Sequence, residues 1–560
     1  MSQQKNKRPK TESKPRPAKS APQGFIDKLV AGWRPVYLLA GLVLVVYLRT
    51  LSFDLVGLDD AQLIGQADSQ IQSLSGALSS FTESAYVDFY RPGLILSLYL
   101  MRLLGGNSPA FYHFCCILLH ALACCLAWLV LLRLGVDRWP ALLLSAFLAV
   151  HPLATQAVAW IMGCNDTLLT VLVLGSFLFL LQAGGPRYAL STTLHLACFA
   201  AALLVKETAV ALPAISVIYW LLLKEQRPSI RKCSYLAAGW VLIAIAWFGL
   251  RSQALAHMPM GQQRYTSMAN LGNMLQNLQA LPEMFGQLLL PFRLSVYPTF
   301  STIALIAGLA ALALCAAIIW ITPGKNGRLI GLGACWFALF LLPTLFFRQQ
   351  YADSGYDYLN HRIYISAFGF LLIAAELHRA WLVQKGRNFA RLFNRTMLIV
   401  LAVLAAVTVR YSGAFENRLS FWENAARTSP GSSRAHGAYG QALLRYARDL
   451  QKAEPHLRTA VELESSGPRH LTLMNNLAGV YSQTGRQSEA VALWKEILST
   501  TQRFPGEENV PNQAVANLML YYLQEKNLPE ARKYYDDLKR RGINVDAEFP
   551  DAAKQLENLP

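Results

Sequence analysis

Residues 110–132, AFYHFCCILLHALACCLAWLVLL, form an apolar run of 23 residues that contains no Asp, Glu, Lys or Arg. An α-helix rises about 1.5 Å per residue, so a run of this length reaches across the roughly 30 Å of hydrocarbon in a membrane. Ionisable side chains would be costly there, and the run avoids them. It therefore predicts a transmembrane helix.

Similar runs recur along the chain. Of the 560 residues, 54% are hydrophobic and only 15% are charged, which excludes a soluble globular or a disordered protein. We count about eleven spans, and 281–297 is a candidate twelfth. The runs are 36–52, 110–132, 139–152, 160–182, 188–205, 208–223, 234–250, 301–321, 328–347, 362–382 and 395–411. The predicted fold class is all-α, with a polytopic membrane domain.

The positions of Lys and Arg indicate how the chain is oriented. Residues 1–35 contain nine Lys and Arg residues against Glu12 and Asp27, so this end is expected in the cytoplasm. The other basic loops fall on the same side when eleven helices are threaded in order, which places the chain after 411 outside. The net charge of +17 is then mainly a topology signal, with attraction to membrane lipids as a second effect. We expect no nucleic-acid partner, because the basic segment lacks aromatic platforms.

The chain after about residue 425 has the spacing of tetratricopeptide repeats, in which small residues let paired helices approach closely. The pattern is carried by Asn475, Leu477, Ala478, Tyr481, Gly485, Ala490 and Trp494, and is repeated around Tyr522 and Ala531. Stacked repeats usually form a concave surface for a peptide or protein, and we expect Tyr481, Trp494 and Tyr522 to contact an acceptor. The alternative is a passive cap on the membrane domain.

These signals divide the chain into three parts. Residues 1–35 are a basic cytoplasmic segment, 36–411 a transmembrane domain, and 412–560 an extracytoplasmic tetratricopeptide-repeat solenoid.

Asp59 and Asp60 follow the first apolar run within ten residues, on the face predicted to lie outside. A carboxylate pair at the mouth of a many-helix protein is a candidate for general-base chemistry. The ordinary alternative is a solvated loop, since Asp is common in turns.

Further ionisable residues stand beside apolar runs, where they are functional candidates by default. They are Arg91, His151, Asp166, Lys206, Glu207, and His361 and Arg362 in the loop 348–364. Ordinary explanations exist here too. His151 is also placed to cap a short helix, Lys206 and Glu207 could be a neutralised connection, and the Tyr-rich loop resembles an interfacial aromatic belt.

Taken in order, these motifs resemble the transmembrane and tetratricopeptide-repeat O-mannosyltransferases, which belong to the GT-C superfamily of polyprenyl-phosphate-dependent glycosyltransferases. The resemblance covers about residues 36–380 and lies in Leu58-Asp59-Asp60, Tyr90-Arg91-Pro92, His151-Pro152 through Trp160 to Asp166, and Val205-Lys206-Glu207. The repeat tail is much shorter than in the animal proteins, which indicates a bacterial relative. The expected location is then the bacterial inner membrane, with the repeats in the periplasm.

The resemblance implies roles for individual residues. One carboxylate of Asp59 and Asp60 is expected to position or deprotonate the acceptor hydroxyl, while the other orients it or approaches a metal; we prefer Asp59 as the base. The donor phosphate and sugar are expected to bind at Arg91, His151, Asp166, Lys206, Glu207, and His361 or Arg362. The Pro-Ser that the family has after Tyr364 is absent. Gln156 stands where the family often has Glu, which weakens a carboxylate-rich metal site.

The expected function is inverting transfer of a sugar from a polyprenyl-phosphate-linked donor to an extracytoplasmic acceptor, foremost Ser or Thr hydroxyls of a protein presented by the repeats. A divalent metal, Mg²⁺ or Mn²⁺, held by Asp60 and Asp166 stays open. Two alternatives remain at this point. One is transfer to a lipid or cell-envelope glycan, and the other is a non-catalytic membrane-anchored scaffold or a transporter.

Overall fold

The computed structural model describes residues 25–60, 63–64, 69–84, 89–183, 187–223, 229–256, 271–346, 359–467, 469–500 and 507–557. Within these residues every regular element is a helix, which confirms the all-helical fold class. The basic residues 1–24 and most of the predicted Tyr-rich loop, residues 347–358, lie outside the described part.

Seventeen α-helices precede the repeat region. They are α1 Phe25–Leu29, α2 Arg34–Tyr47, α3 Ser69–Gln72, α4 Leu74–Ser79, α5 Pro92–Gly105, α6 Pro109–Arg133, α7 Arg138–Val150, α8 Thr155–Ala159, α9 Cys164–Gln182, α10 Tyr188–Val205, α11 Ala211–Leu222, α12 Ile230–Ala256, α13 Leu271–Asn277, α14 Ala280–Leu289, α15 Thr302–Ile321, α16 Gly327–Leu341 and α17 Ala367–Ser412. Short 3₁₀ helices join several of them, at Leu48–Ser52, Pro152–Ala154, Ile161–Gly163, Glu207–Val210, Leu342–Phe346, Asn360–Ile363 and Gly413–Phe415.

Nine further α-helices complete the described chain. They are α18 Arg418–Thr428, α19 Ser433–Ala442, α20 Leu450–Leu463, α21 His470–Gln483, α22 Gln487–Ser499, α23 Val510–Gln524, α24 Leu528–Arg540, α25 Val545–Glu548 and α26 Pro550–Glu557. A π-helical turn, Leu443–Ala447, follows α19.

Membrane-length helices dominate the first part. Among the described residues eight helices are long and apolar enough to cross a membrane, or nine if α7 and the helix Pro152–Ala159, bent by 51°, form one span. Two shorter apolar helices, Pro92–Gly105 and Glu207–Leu222, accompany them. The protein is therefore an integral membrane protein. The candidate twelfth run, 281–297, is not a span, because α14 ends at Leu289.

The predicted runs 362–382 and 395–411 are joined in one element, α17. Gly386 interrupts it with a φ of +63°, a conformation that glycine adopts without the penalty imposed by a Cβ. At the same end of the molecule, Arg138 donates to the carbonyls of Val30 and Gly32. Trp139 donates to Asn394 of α17, so basic connections predicted to share one side do meet there.

Three apolar cores organise the molecule. The first lies among the membrane helices and includes Phe177 and Trp336. The second joins the loop after α2 to the start of the C-terminal region, and contains Phe53 together with Phe415 and Trp422. The third lies within the repeats. The predicted domain boundary at 411 therefore falls inside the second core.

Candidate active site

The loop that carries the acidic pair follows the 3₁₀ helix Leu48–Ser52. Asp60 is buried, with 1% of its surface exposed. The backbone N–H of Val56 donates to its Oδ2 at 3.3 Å, and the N–H of Met162 donates to its Oδ1 at 3.3 Å. Oδ1 of Asp60 thus ties this loop to the turn that precedes α9, whereas Oδ2 accepts a hydrogen bond from within the loop itself.

Burial also changes the acidity of Asp60. Loss of solvation raises the pKa of its carboxyl to about 7, and the neighbouring Asp59 adds to the rise. The hydrogen bonds from Val56 and Met162 act in the opposite direction but do not outweigh burial. Burial therefore favours the protonated form of Asp60.

Asp59 has different surroundings from Asp60. It is half-buried and lines a pocket of about 360 Å³, a volume that includes the open mouth. Arg91, Met162 and Asn165 line the same pocket. Of the two predicted catalytic carboxylates, Asp59 is therefore the one that lines an open pocket.

Asp166, the residue after Asn165, forms a buried charged pair with Lys206. Lys206 Nζ donates to Asp166 Oδ1 at 2.8 Å and Oδ2 at 2.7 Å, and both side chains are almost fully buried. His361 Nε2 lies 3.7 Å from Asp166 Oδ2. Asp166 is in the first turn of α9 and Lys206 directly follows α10, so each charge also sits at the helix end that favours its sign.

Arg91 and Glu207 form a second pair. Arg91 Nη2 donates to Glu207 Oε1 at 2.7 Å and Nε donates to Oε2 at 3.2 Å, a two-bond geometry that fixes the guanidinium plane. The Arg91 guanidinium also lies 4.1 Å from the Phe89 ring centroid. Arg91 and Arg362 are both near enough to act on Asp166 electrostatically. The predicted donor-site residues other than His151 thus converge on one region.

The predicted metal ligands do not fit a divalent cation. In the described part of the chain, no group of three or more His, Cys, Asp or Glu side chains is placed to hold a metal. The oxygens of Asp60 accept backbone N–H bonds and those of Asp166 accept from the Lys206 ammonium. These hydrogen bonds hold the two carboxylates in place without a metal ion.

His151 is held apart from the charged pairs by the backbone. Its Nε2 is 3.1 Å from the carbonyl oxygen of Leu288, and its Nδ1 accepts from the N–H of Leu153 at 3.2 Å. This geometry favours the alternative that His151 caps the helix Pro152–Ala154. Its predicted contact with the donor is not supported by these bonds.

Gln156 is a residue whose part in the site the sequence did not reveal. Its Nε2 donates to the carbonyl of Val296 at 3.0 Å, and its Oε1 accepts from the backbone N–H of His361 at 3.1 Å. The available signal was an amide in the short and mostly apolar helix α8, at the position where the family often has Glu.

The three repeat residues predicted to contact an acceptor differ in how deeply they are buried. Trp494 and Tyr481 are buried in the third core, and the Trp494 indole donates to Asn475 Oδ1 at 3.1 Å. The prediction that these two rings contact an acceptor does not fit that burial. Tyr522 is half-buried and stacks on Tyr534, with ring centroids 5.7 Å apart.

Fold and site together define an integral membrane protein with charged pairs gathered between helix ends and a C-terminal tetratricopeptide-repeat domain. A tetratricopeptide-repeat family model matches residues 470–503, which confirms the predicted repeat there.

Curated relatives carry the comparison further. The chain is 33% identical to Protein O-mannosyl-transferase Tmtc2 of Drosophila melanogaster over 194 residues, which are 32% of this chain and 20% of that protein. It is 33% identical to Tmtc1 of the same organism over 178 residues, 30% of this chain and 21% of that protein. It is 21% identical to Protein O-mannosyl-transferase TMTC3 of Mus musculus over 514 residues, 83% of this chain and 54% of that protein.

These matches confirm the predicted resemblance to the transmembrane and tetratricopeptide-repeat O-mannosyltransferases. The chain spans about a fifth to about half of the length of these relatives. Among solved structures, the crystal structure of ArnT from Cupriavidus metallidurans bound to undecaprenyl phosphate aligns with 84% of this chain and 82% of its own. The identity is 16% and the TM-score 0.39, which is too low to establish a shared fold.

Proposed function

We propose that the protein is a GT-C type glycosyltransferase of the membrane that moves a sugar from a polyprenyl-phosphate-linked donor to a hydroxyl outside the cytoplasm, with Ser or Thr of proteins as acceptor. The observation that carries the proposal is that Asp59 and Arg91 line one pocket, and that Arg91 belongs to a cluster of charged groups around Asp166. Base and phosphate-binding cations are the two requirements of this reaction.

In this mechanism Asp59 takes the proton of the acceptor hydroxyl as its oxygen attacks the anomeric carbon. The bond from that carbon to the phosphate oxygen breaks, and the polyprenyl phosphate departs with the electron pair. Direct attack inverts the anomeric centre. Proton removal by a positioned carboxylate contributes about 10²- to 10⁴-fold.

The departing phosphate gains negative charge, which the cations stabilise. Arg91, Lys206 and Arg362 stand against the carboxylates of Asp166 and Glu207, so this group of five retains one positive charge. Because the ion pairs already hold Arg91 and Lys206 in place, little reorganisation accompanies the reaction.

Asp59 is the base in this proposal because of where the two carboxylates face. Both oxygens of Asp60 accept backbone N–H groups in a buried site, whereas Asp59 lines the pocket. Asp60 then positions the loop. The names of the relatives support mannose as the sugar and protein as the acceptor. The basic loops support a cytoplasmic N-terminus, and the proposed location of the site and the repeats is the periplasmic side of a bacterial inner membrane.

The test is a transfer assay with purified protein, a polyprenyl-phosphate-linked mannose, and acceptors of two kinds, Ser/Thr peptides and glycolipids. Asp59→Asn should reduce the rate by about 10²- to 10⁴-fold. Asp54→Asn is the matched control, because Asp54 is an exposed carboxylate of the same loop and should leave the rate unchanged.

Wild-type rates for both Asp59→Asn and Asp60→Asn would remove the catalytic role of the pair. Transfer to glycolipid but not to peptide would replace the protein acceptor by an envelope component. Absence of any transfer by the wild type would leave the scaffold or transporter alternatives.

A further inference from the structure

Gln156 connects the charged cluster to another part of the molecule. Its side chain is completely buried and uses both ends of the amide, donating to the Val296 carbonyl and accepting from the His361 N–H. His361 in turn places its Nε2 3.7 Å from Asp166. The orientation of the His361 backbone therefore depends directly on Gln156.

Val296 is held from its other side by α18, the first helix after the membrane domain. Its N–H donates to Asn424 Oδ1 at 3.1 Å. Its neighbours are tied to the same helix and its end, because Ser295 and Thr428 share a hydroxyl hydrogen bond of 2.7 Å and Ser429 donates to the Tyr297 carbonyl at 2.6 Å. The segment 295–297 thus lies between α18 and Gln156.

The loop with the acidic pair rests on the same helix. A Cβ built on Gly57 would lie 2.3 Å from the indole nitrogen of Trp422 in α18, so the loop backbone is in direct contact with that ring. Just before α18, the Glu416 carbonyl accepts the N–H of Asp54 at 2.9 Å. Both halves of the site, the acidic loop and the His361 turn, are therefore supported by α18.

We propose that Gln156 is a positioning residue that sets His361 against Asp166 and, through Val296 and Asn424, makes α18 a structural part of the donor site. The part that Gln156 plays in donor binding rests on the proposed function, whereas the hydrogen bonds of its side chain do not depend on it. The amide is chemically suited to the place, because it donates at one end and accepts at the other. An ionised carboxylate of the same shape can only accept, and would leave the Val296 carbonyl without its donor.

Two variants of the full-length protein test whether the Gln156 side chain connects Val296 to His361. Gln156→Glu restores a donor only when its carboxyl is protonated, so its defect should be large at about pH 8 and shrink at about pH 5. Gln156→Met has a similar length but neither donates nor accepts, so its defect should not change with pH. Wild type at each pH is the reference, since His361, Asp166, Lys206 and Arg362 around the turn also titrate or carry charge.

The first measurement needs no ligand. Hydrogen exchange of a peptide that contains His361 should be faster in Gln156→Met than in wild type at both pH values. In Gln156→Glu the carboxylate still accepts the His361 N–H and only the donor to the Val296 carbonyl is lost, so at the higher pH faster exchange is expected in a peptide that contains Val296 instead. The second is binding of undecaprenyl phosphate, with an expected loss of about tenfold in Gln156→Met, the scale of one buried hydrogen bond. The third is donor KM against kcat in the transfer assay, where the loss should fall on KM.

A matched pair of variants at Asn424 tests the contact between Val296 and α18. Asn424→Asp keeps an oxygen for the Val296 N–H and should lose less binding than Asn424→Leu, which should lose binding in the same direction as Gln156→Met.

Unchanged exchange and binding in Gln156→Met would overturn the inference, and so would faster exchange without any loss of binding. Binding by the wild type without transfer would overturn the proposed function alone. Absence of binding by the wild type would overturn both.

Discussion

Arg91 and Glu207 are separated by 116 positions in the sequence, yet their side chains meet through two hydrogen bonds of 2.7 and 3.2 Å beside the pocket that Asp59 lines. The two side chains keep 14% and 24% of their surface exposed, so the pair is reachable from the pocket rather than sealed in the core. Glu207 therefore holds the Arg91 guanidinium in the wall of this pocket, where the proposed mechanism needs a cation.

Removing the charge of Glu207 should weaken donor binding. Glu207→Gln loses a charge-assisted bond that orients Arg91, and we expect donor KM to rise about tenfold. Glu416→Gln is the matched control, because Glu416 pairs with Arg49 at 3.1 Å on an exposed surface where such pairs contribute little. Equal donor KM values for the two variants would contradict the role given to Glu207.

Asp60 should make stability depend on pH. Its pKa is raised from 3.8 to about 7, so between these values the folded protein binds more protons than the unfolded chain, and stability falls as pH rises. Relative to wild type, Asp60→Asn should therefore become steadily more stable from about pH 4 to about pH 7, and the difference should level off above that. Melting temperatures in detergent at matched pH values measure it. A difference that does not change over this interval would show that Asp60 titrates normally.

The pair Asp166 and Lys206 should respond very differently to single and double substitution. Asp166→Asn leaves a buried ammonium without its partner, and loss of one partner from such a pair costs about 3–5 kcal/mol of stability. Asp166→Asn with Lys206→Met removes both charges and should recover most of the melting temperature. Binding of undecaprenyl phosphate should remain impaired in the double variant. Recovered binding would mean that the pair serves stability alone.

Two aromatic residues of the repeats should separate folding from acceptor contact. Trp494→Ala empties a buried position and should destabilise the repeat domain by about 3–5 kcal/mol. Tyr522 is half-buried, and Tyr522→Ala should raise acceptor KM with a smaller change in melting. If acceptor KM is unchanged in Tyr522→Ala, the prediction that Tyr522 contacts the acceptor is wrong.

A single methyl group at Gly57 should disturb the acidic loop. Because its Cβ would lie 2.3 Å from the Trp422 indole, Gly57→Ala must displace the loop or the ring, and we expect transfer to fall by about tenfold or more. Trp422→Phe in the same chain removes the indole nitrogen and should restore part of the rate. Gly431→Ala is the control, since nothing lies within 4 Å of its added Cβ. Wild-type transfer in Gly57→Ala would show that the contact can yield freely.

The membrane-length helices could be predicted because a long apolar run without charged residues is by itself a signal for a helix that crosses a membrane. All eleven predicted runs fall on helices, including 208–223, which the structure shows as a shorter apolar helix, and 362–382, which forms the first part of α17. The run 281–297 failed as a span because length and hydropathy do not indicate where a helix stops, and here the chain leaves the helix after Leu289.

The site could be predicted only as a set of residue types. Charged residues beside apolar runs identify Asp166 and Lys206 as candidates, but their contact joins positions 40 apart and depends on how α9 and α10 pack. Gln156 is uncharged, so a search for ionisable groups passes over it. Trp494 shows the opposite difficulty, since an aromatic residue at helical spacing serves packing as readily as recognition.

The second core, which contains Phe53 and Trp422, has a consequence for engineering. An exchange of repeat arrays between relatives, intended to redirect the proposed transfer to new acceptors, would disturb the second core of the recipient if the graft began at residue 412. A graft that keeps α18 and α19 with the recipient and begins at α20 would preserve that core, because Ala435 and Ala442 of α19 are its last buried members. The second core therefore extends one helical hairpin beyond the domain boundary that the hydropathy profile indicates.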